Sequence, residues 1–188
     1  ITRTIALGEI SSELKRDFTN VLRGNLALSR IKFPYGCSGQ NLDVLARQFL
    51  WCEHKDYNHG TGHGVGYLLS IHEPSNRFNW RTMEETSRTL EEGAIITDEP
   101  GIYIEDSHGI RLENELLVCK DLSNEFGQFM SFEVLTFVPF DLDAIDPSLL
   151  NETEKAQLNA YHQKVYEIVS PHMNEDEKEW LKKYTRAI

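Results

Sequence analysis

Two histidines four residues apart, His59 and His63, are the first candidates for a metal site. Glycine occupies every second position from Gly60 to Gly66, which disfavours a helix and with it the helical motif in which two histidines share one zinc ion. On an extended chain at roughly 3.3 Å per residue, the two side chains lie about 13 Å apart. At most one histidine therefore binds a given ion, and the other serves elsewhere in the same cleft. The alternative is a glycine-rich turn with two incidental histidines.

Two glutamates extend this candidate set. Glu99 follows the apolar stretch 94–97 and precedes a Pro-Gly bend, where burial of a carboxylate is costly unless a cation meets it. Glu113 lies in the stretch 110–119, whose alternation as a strand places Arg111, Glu113 and Glu115 on one face. A surface turn and a solvated strand face are the ordinary alternatives. The nearby imidazoles favour a functional site.

Carboxylates combined with one imidazole suit hard or borderline cations such as manganese, cobalt, iron or zinc. Two such ions about 3.5–4 Å apart can polarise a carbonyl and activate a water together. Glu99, Glu113 and one of the two histidines are too few ligands for two ions. Asp98 would point away from Glu99 on a strand, and Asp106 is expected in a loop, so neither completes the set.

His72 follows the apolar run 67–71, which we interpret as a buried strand. A histidine where such a strand meets a turn suits hydrogen bonding to a substrate carbonyl. A structural role for this side chain is the alternative.

The order of elements around these residues predicts an α+β fold in one domain. Polar and apolar residues alternate over 1–7 as in a half-buried strand, and apolar stripes predict helices after Ser11 and over 42–50. Helices return after Pro147 and around Trp180. The predicted strands after the glycine-rich stretch are 67–71, 93–97, 110–119 and 131–138.

Composition excludes several classes of function. The net charge of −11 argues against nucleic acid or an anionic membrane as the main partner, because both are polyanionic. No apolar run approaches the roughly 20 residues that span a bilayer. The three cysteines, Cys37, Cys52 and Cys119, are odd in number and widely spaced, which favours a reducing compartment and a cytoplasmic location.

The motifs, taken in order, resemble the catalytic domain of the Xaa-Pro aminopeptidases (aminopeptidase P) among the pita-bread metallopeptidases. The resemblance covers nearly the whole chain. It is carried by the segments His-Gly-Thr-Gly-His-Gly-Val-Gly at 59–66, His-Glu at 72–73, Glu-Pro-Gly-Ile-Tyr at 99–103, Gly-Ile-Arg-Leu-Glu-Asn at 109–114 and Phe-Glu-Val-Leu-Thr-Phe-Val-Pro at 132–139.

This resemblance implies a pita-bread fold, with residues 1–140 as the major part of the catalytic domain and 141–188 as a helical C-terminal extension packed on it. It implies two divalent metal ions, usually manganese, with cobalt, iron or zinc as alternatives. His63, Glu99 and Glu113 match three of five ligands. The other two are aspartates from a segment just before Ile1, so the chain is expected to be a fragment, truncated at its N-terminal side, that binds metal weakly and is inactive alone.

The implied reaction is hydrolysis of the bond between an N-terminal residue and a following proline. By the resemblance Glu99 is also the general base, His59 contacts substrate and shuttles protons, His72 stabilises the carbonyl oxygen and Arg111 orients the carboxylates. Glu115 and Tyr103 are expected to be structural. A prolidase and a non-catalytic binding module are the alternatives. Peptides with proline at the second position are the expected partners, and the aromatic tail offers a surface for a homodimer.

Overall fold

Helices and a curled antiparallel sheet make up the computed structural model, which describes residues 1–188. The α-helices are α1 (Ser12–Ser29), α2 (Gly39–Trp51), α3 (Glu84–Ser87), α4 (Glu152–Val169) and α5 (Glu175–Tyr184). The strands are β1 (Phe33–Pro34), β2 (Gly62–Gly64), β3 (Glu73–Phe78), β4 (Ile95–Asp98), β5 (Gly101–Ile104), β6 (His108–Arg111), β7 (Asn114–Asn124) and β8 (Gly127–Val134).

The six-stranded sheet has the order β1-β8-β7-β4-β2-β3, and β5 and β6 form a separate hairpin. All neighbouring strands are antiparallel. Asp98 pairs with Asn114 at the end of the β4–β7 ladder, so the next residues on the two strands, Glu99 and Glu113, face each other. This register is what brings together two glutamates that are distant in sequence.

One face of the sheet is apolar and packs against α1 and α2. Phe78, Ile96 and Leu116 on that face are fully buried and join Leu28 and Ala46 of the helices in one core cluster. Each fully buried side chain of this size stabilises the fold by about 1.5–3 kcal/mol. Because side chains alternate across a strand, the residues between these apolar positions lie on the opposite, polar face.

The C-terminal helices complete a second core cluster on the other side of α1. Leu150 and Leu158 pack there with Ile102 and Ile110 of the β5–β6 hairpin. Asn151 and Glu154 form a capping box that fixes the start of α4. None of the five α-helices combines the length and apolar content that a membrane crossing requires.

The predicted strand over 1–7 is wrong. The apolar residues Ile5 and Leu7 face solvent, and polar residues face the protein. Residues 1–10 form no strand, and Ile5 and Leu7 are 64 and 98% exposed. The polar residues turn inward instead: Arg3 donates to the carbonyl of Val138 (2.8 Å) and to Asn114 Oδ1 (2.6 Å). Hydrogen bonding of Arg3 to this backbone carbonyl and to the Asn114 side chain outweighs the burial of two aliphatic side chains here.

Three other predicted strands need correction. Residues 67–71 form a turn in which Leu68 and Leu69 have left-handed backbone angles, closed by the Gly66 N–H donating to the Ser70 carbonyl. The stretch 110–119 is interrupted at 112–113 between β6 and β7, and β8 ends at Val134 rather than 138. The predicted strand 93–97 corresponds to β4, and the predicted helices are confirmed with longer bounds.

Burial of a histidine in α4 gives a testable pH dependence of stability. His162 is fully buried and its Nε2 accepts from the Phe140 N–H at 3.0 Å. Burial, with the charges of Arg3 and Arg186, lowers the pKa of His162 to about 4. The unfolded chain takes up this proton near pH 6.5, so stability is lost as pH falls from there towards 4. The expected loss is about 2–3 kcal/mol.

Replacement His162→Gln keeps an acceptor for the Phe140 N–H and removes the titration. Urea denaturation at pH 7, 5 and 4 should therefore give a flatter stability profile for this variant than for the parent. His172→Gln, at an exposed position, is the matched control and should follow the parent. Parallel profiles for all three proteins would contradict the prediction.

Candidate metal centre

His63, Glu99 and Glu113 converge on the polar face of the sheet. One potential ligand atom from each lies within 4.8 Å of the others. Strand β2 pairs with β4 through Gly64 and Ile96, which places His63 beside Thr97 and close to the two facing glutamates. A Cβ at Gly62 would collide with the Thr97 carbonyl, so only glycine allows β2 to approach β4 this closely.

The imidazole of His63 is oriented with one nitrogen free for a metal. Its Nδ1 donates to the Gly64 carbonyl at 2.9 Å, since a carbonyl can only accept. Nε2 makes no hydrogen bond and lies 3.4 Å from Glu99 Oε1, so this nitrogen is available to bind a metal. A backbone carbonyl that fixes the tautomer in this way is a common support for a metal-binding histidine.

The carboxylates of Glu99 and Glu113 lie close together and have little contact with solvent. The side chains of Glu99 and Glu113 are only 12 and 10% exposed. Burial and the Glu113 charge raise the pKa of Glu99, against the opposing effects of His63 and Arg111. Asp98 does not join the cluster, and burial raises the pKa of its carboxyl well above the usual range.

A chain of three polar side chains runs beside this cluster. His59 Nδ1 donates to the Gly60 carbonyl (2.7 Å), so its Nε2 accepts from the Tyr103 hydroxyl at 2.9 Å. That hydroxyl in turn accepts from Arg111 Nε at 2.8 Å. Arg111 Nε is also 3.9 Å from Glu99 Oε2, and burial lowers the pKa of His59. These hydrogen bonds hold the neutral imidazole of His59 next to the carboxylates.

Tyr103 was expected to be structural, but its hydroxyl links two of the predicted catalytic residues. It is half exposed in the β5–β6 hairpin. The sequence offered one signal, its position four residues after Glu99 in a strand that turns back towards Arg111. Glu115, the other residue expected to be structural, lies in β7 and is outside the ligand cluster.

His72 lies on the other side of His63. Their ring centroids are 4.5 Å apart, and His72 is exposed. The two line one cleft with His59, Glu99 and Arg111, of about 200 Å³. All six predicted site residues therefore lie in or beside one cleft, with Glu113 reached through the ligand cluster, while their roles in catalysis stay predictions.

Two threonines that the sequence did not single out support the glutamates. The Thr97 hydroxyl accepts from the His63 N–H (3.0 Å) and donates to Glu99 Oε1 (3.3 Å). The Thr2 hydroxyl donates to Glu113 Oε2 at 2.7 Å. Hydrogen bonds of this kind orient ligating carboxylates before a metal binds.

A buried arginine of α2 supports the loop that carries His59, here called the histidine loop. Arg47 is 1% exposed and donates to Asp43 (2.6 Å), to Asp56 (2.7 Å), and to the carbonyls of Tyr57 and His59 (both 2.8 Å). Asp43 also accepts from the Thr61 hydroxyl at 2.5 Å. The Thr61 carbonyl accepts from the Glu99 N–H at 2.7 Å, so this network reaches both sides of the site.

The donor set fits a divalent cation. Two carboxylates and a neutral imidazole nitrogen are the ligands that manganese, cobalt, iron and zinc accept. Burial and then the charge of Glu113 raise the pKa of Glu99, and a bound cation would offset both effects. Such a site can polarise a carbonyl and activate a water.

Comparison with known proteins is consistent with this chemistry. The sequence profile of metallopeptidase family M24 matches residues 1–120, and that of the C-terminal region of peptidase M24 matches 128–188. A probable Xaa-Pro aminopeptidase P from Leptosphaeria maculans is 43% identical over 98% of the chain and 31% of its own length. Aminopeptidase P1 from Arabidopsis thaliana is 41% identical over the whole chain and 30% of its own length.

Solved structures give the same picture. The X-prolyl aminopeptidase of Caenorhabditis elegans, described as a cytosolic enzyme with a di-nuclear active site, matches 99% of the chain and 31% of its own length, with a TM-score of 0.91 and 36% identity. An Xaa-Pro dipeptidase from Bacillus anthracis matches 74% of the chain and 35% of its own length, with a TM-score of 0.59 and 33% identity. The chain thus spans about a third of the length of these proteins. The expected α+β pita-bread fold with C-terminal helices is confirmed.

Proposed function

The chain belongs to metallopeptidase family M24, and we propose that the protein containing it is an Xaa-Pro aminopeptidase. It would hydrolyse the bond between an N-terminal residue and a following proline. The observation that carries this proposal is the convergence of His63, Glu99 and Glu113 within 4.8 Å, next to histidines and an arginine suited to bind a peptide.

Each residue of the site is given a role that follows from its position. His63 Nε2 and the carboxylates of Glu99 and Glu113 would hold divalent ions, which supply Lewis-acid polarisation of the scissile carbonyl and activation of a water. Glu99, at the centre of the cluster, is placed to take a proton from the attacking water. His72 lies on the open side of His63, where its ring can donate to the carbonyl oxygen as charge develops.

His59 and Arg111 act through the Tyr103 hydroxyl that joins them. Because the pKa of His59 is lowered by burial, its imidazole stays neutral near pH 7 and can accept or pass on a proton of the substrate. Arg111 holds Glu99 by charge and keeps its carboxylate turned to the cluster.

We propose two divalent ions, manganese first, with two aspartates upstream of Ile1 as the remaining ligands. The α-amino nitrogen of Ile1 is 4.0 Å from Glu113 Oε2, so a residue placed before it would border the cluster. The 188 residues supply three of five ligands, and we expect the isolated chain to bind metal weakly. We assign residues 1–140 to the catalytic domain, 141–188 to its extension, and the protein to the cytosol.

Prolidase activity is the second candidate, because dipeptidases share this fold and part of the sequence. Two observations favour the aminopeptidase. The curated relatives that are 41–43% identical over nearly the whole chain carry the names Xaa-Pro aminopeptidase P and aminopeptidase P1. The C-terminal region that packs on α1 also matches the peptidase M24 C-terminal profile. A non-catalytic module is disfavoured by the presence of all three ligands.

The deciding assay uses the natural protein, stripped of metal with a chelator and then supplied with manganese. Ala-Pro-Ala should lose its first residue, whereas Ala-Pro and Ala-Ala-Ala should be cleaved far more slowly. The activity should disappear with the metal and return with it. Exclusive cleavage of Ala-Pro would show a prolidase, and no hydrolysis of any of the three peptides would overturn the proposal of an enzyme.

A further inference from the structure

Glu113 lies in the gap between two strands and is held by hydrogen bonds from the start of the chain. Strand β6 ends at Arg111, and β7 begins at Asn114. The N–H of Glu113 donates to the Thr2 carbonyl at 3.0 Å, and the carbonyl of Glu113 accepts from Arg3 Nη1. The position of this metal ligand is therefore set by residues 2 and 3 as well as by the sheet.

The guanidinium of Arg3 also holds the residue that follows Glu113. Its Nη2 donates to Asn114 Oδ1 at 2.6 Å, and the whole group lies over the Phe140 ring, 4.2 Å from the ring centroid. A planar guanidinium has donors in fixed directions and can hold a carbonyl and an amide oxygen at the same time. Any rotation of Arg3 would therefore release both contacts to the ligand segment.

Helix α4 fixes the orientation of this guanidinium. The Tyr161 hydroxyl accepts from Arg3 Nη2 at 2.9 Å and donates to the Val138 carbonyl at 2.8 Å. The Tyr161 ring packs against Phe140, with centroids 5.2 Å apart, and Leu158, one turn earlier in the helix, is fully buried. A hydroxyl on a well-anchored helix thus holds the arginine that supports a metal ligand.

We propose that Tyr161 is a positioning residue for Glu113 and acts through Arg3, an inference that rests on the proposed function. Tyr161 is outside the ligand cluster and does not line the cleft. It can therefore influence metal binding only through the residues it contacts. The helical extension of residues 141–188 thereby takes part in assembling the metal centre, in addition to packing on α1.

Tyr161→Phe in the natural protein removes the hydroxyl and keeps the ring. The metal-free protein is titrated with manganese, and the free ion is measured by electron paramagnetic resonance. Manganese affinity should fall about tenfold, the lower end of the loss when a partner that supports a metal ligand is removed. The kcat for Ala-Pro-Ala should fall by a similar factor, with KM within about twofold of the parent.

Tyr166→Phe is the matched control, because Tyr166 is a half-buried tyrosine of the same helix. Five residues along a helix of 3.6 residues per turn place it on a different side from Tyr161. Its manganese affinity and its kcat should stay within about twofold of the parent. Parent-like manganese affinity in Tyr161→Phe would overturn the proposal.

Arg3→Lys tests whether the effect passes through Arg3. Lysine keeps the charge but lacks the planar set of donors, so this variant alone should also lose about tenfold in manganese affinity. Adding Tyr161→Phe to it should cost less than about threefold more, because residues in one network are not additive. A further tenfold loss in the double variant would show an independent, structural role for Tyr161 and would overturn the proposal. Failure of the parent to cleave Ala-Pro-Ala would overturn the proposed function, while the manganese titrations would still decide the role of Tyr161.

Discussion

Replacement of Glu99 by alanine in the natural protein should lower kcat for an Xaa-Pro-Xaa peptide by about 10³-fold or more without unfolding the protein. Glu99 is placed both to bind metal and to take the proton of the attacking water, and a general base alone contributes about 10²–10⁴-fold. Removal of this carboxylate also relieves its repulsion with Glu113, which raises the pKa of Glu99. Stability without metal should therefore be unchanged or higher.

Steady-state kinetics, metal content and thermal denaturation of the same samples test this prediction. Glu105→Ala is the control, because Glu105 is exposed in the β5–β6 turn and is outside the ligand cluster; its kcat should stay within twofold of the parent. A near-normal kcat for Glu99→Ala would remove Glu99 from the mechanism. A loss of folding together with activity would instead make its role structural.

Candidate ligands could be recognised from sequence because local rules mark them. Alternation within a strand and glycine at every second position show that His59 and His63 cannot share one ion, and the family resemblance identifies His63 as the ligand. Glu99 stands out as a carboxylate at the end of an apolar strand. The pairing that brings it opposite Glu113 depends on the β4–β7 register, which the sequence does not state but which the family resemblance implies.

The supporting residues could not be predicted, because each depends on contacts between distant segments. Arg3 faces inward only because the carbonyl of Val138 lies there to accept from it. The alternation over 1–7 shows two faces without showing which is buried. Arg77 faces the cluster because of a pairing with His63 that is interrupted just after it by a register shift. No local periodicity specifies such a shift.

Replacement of Arg47 by methionine should destabilise the protein by about 3–5 kcal/mol, the cost of breaking one side of a buried ion pair. Asp43 is fully buried and would lose its cationic partner, and the carbonyls of Tyr57 and His59 would lose donors. The melting temperature should fall by roughly 10 °C. Arg16→Met, at an exposed position of α1, should change the free energy of unfolding by no more than about 0.5 kcal/mol.

A second substitution separates the charge from the packing. In the double variant Asp43→Asn with Arg47→Met, the residue at 43 can still accept from the Thr61 hydroxyl but carries no orphaned charge. It should recover about 1–2 kcal/mol relative to Arg47→Met, a coupling expected between groups in one network. Activity should not recover with stability, because the His59 carbonyl still lacks its donor and the histidine loop is free to shift. Full recovery of both would mean that Arg47 only neutralises Asp43, and that the loop keeps its geometry through the Thr61 carbonyl and the Glu99 N–H.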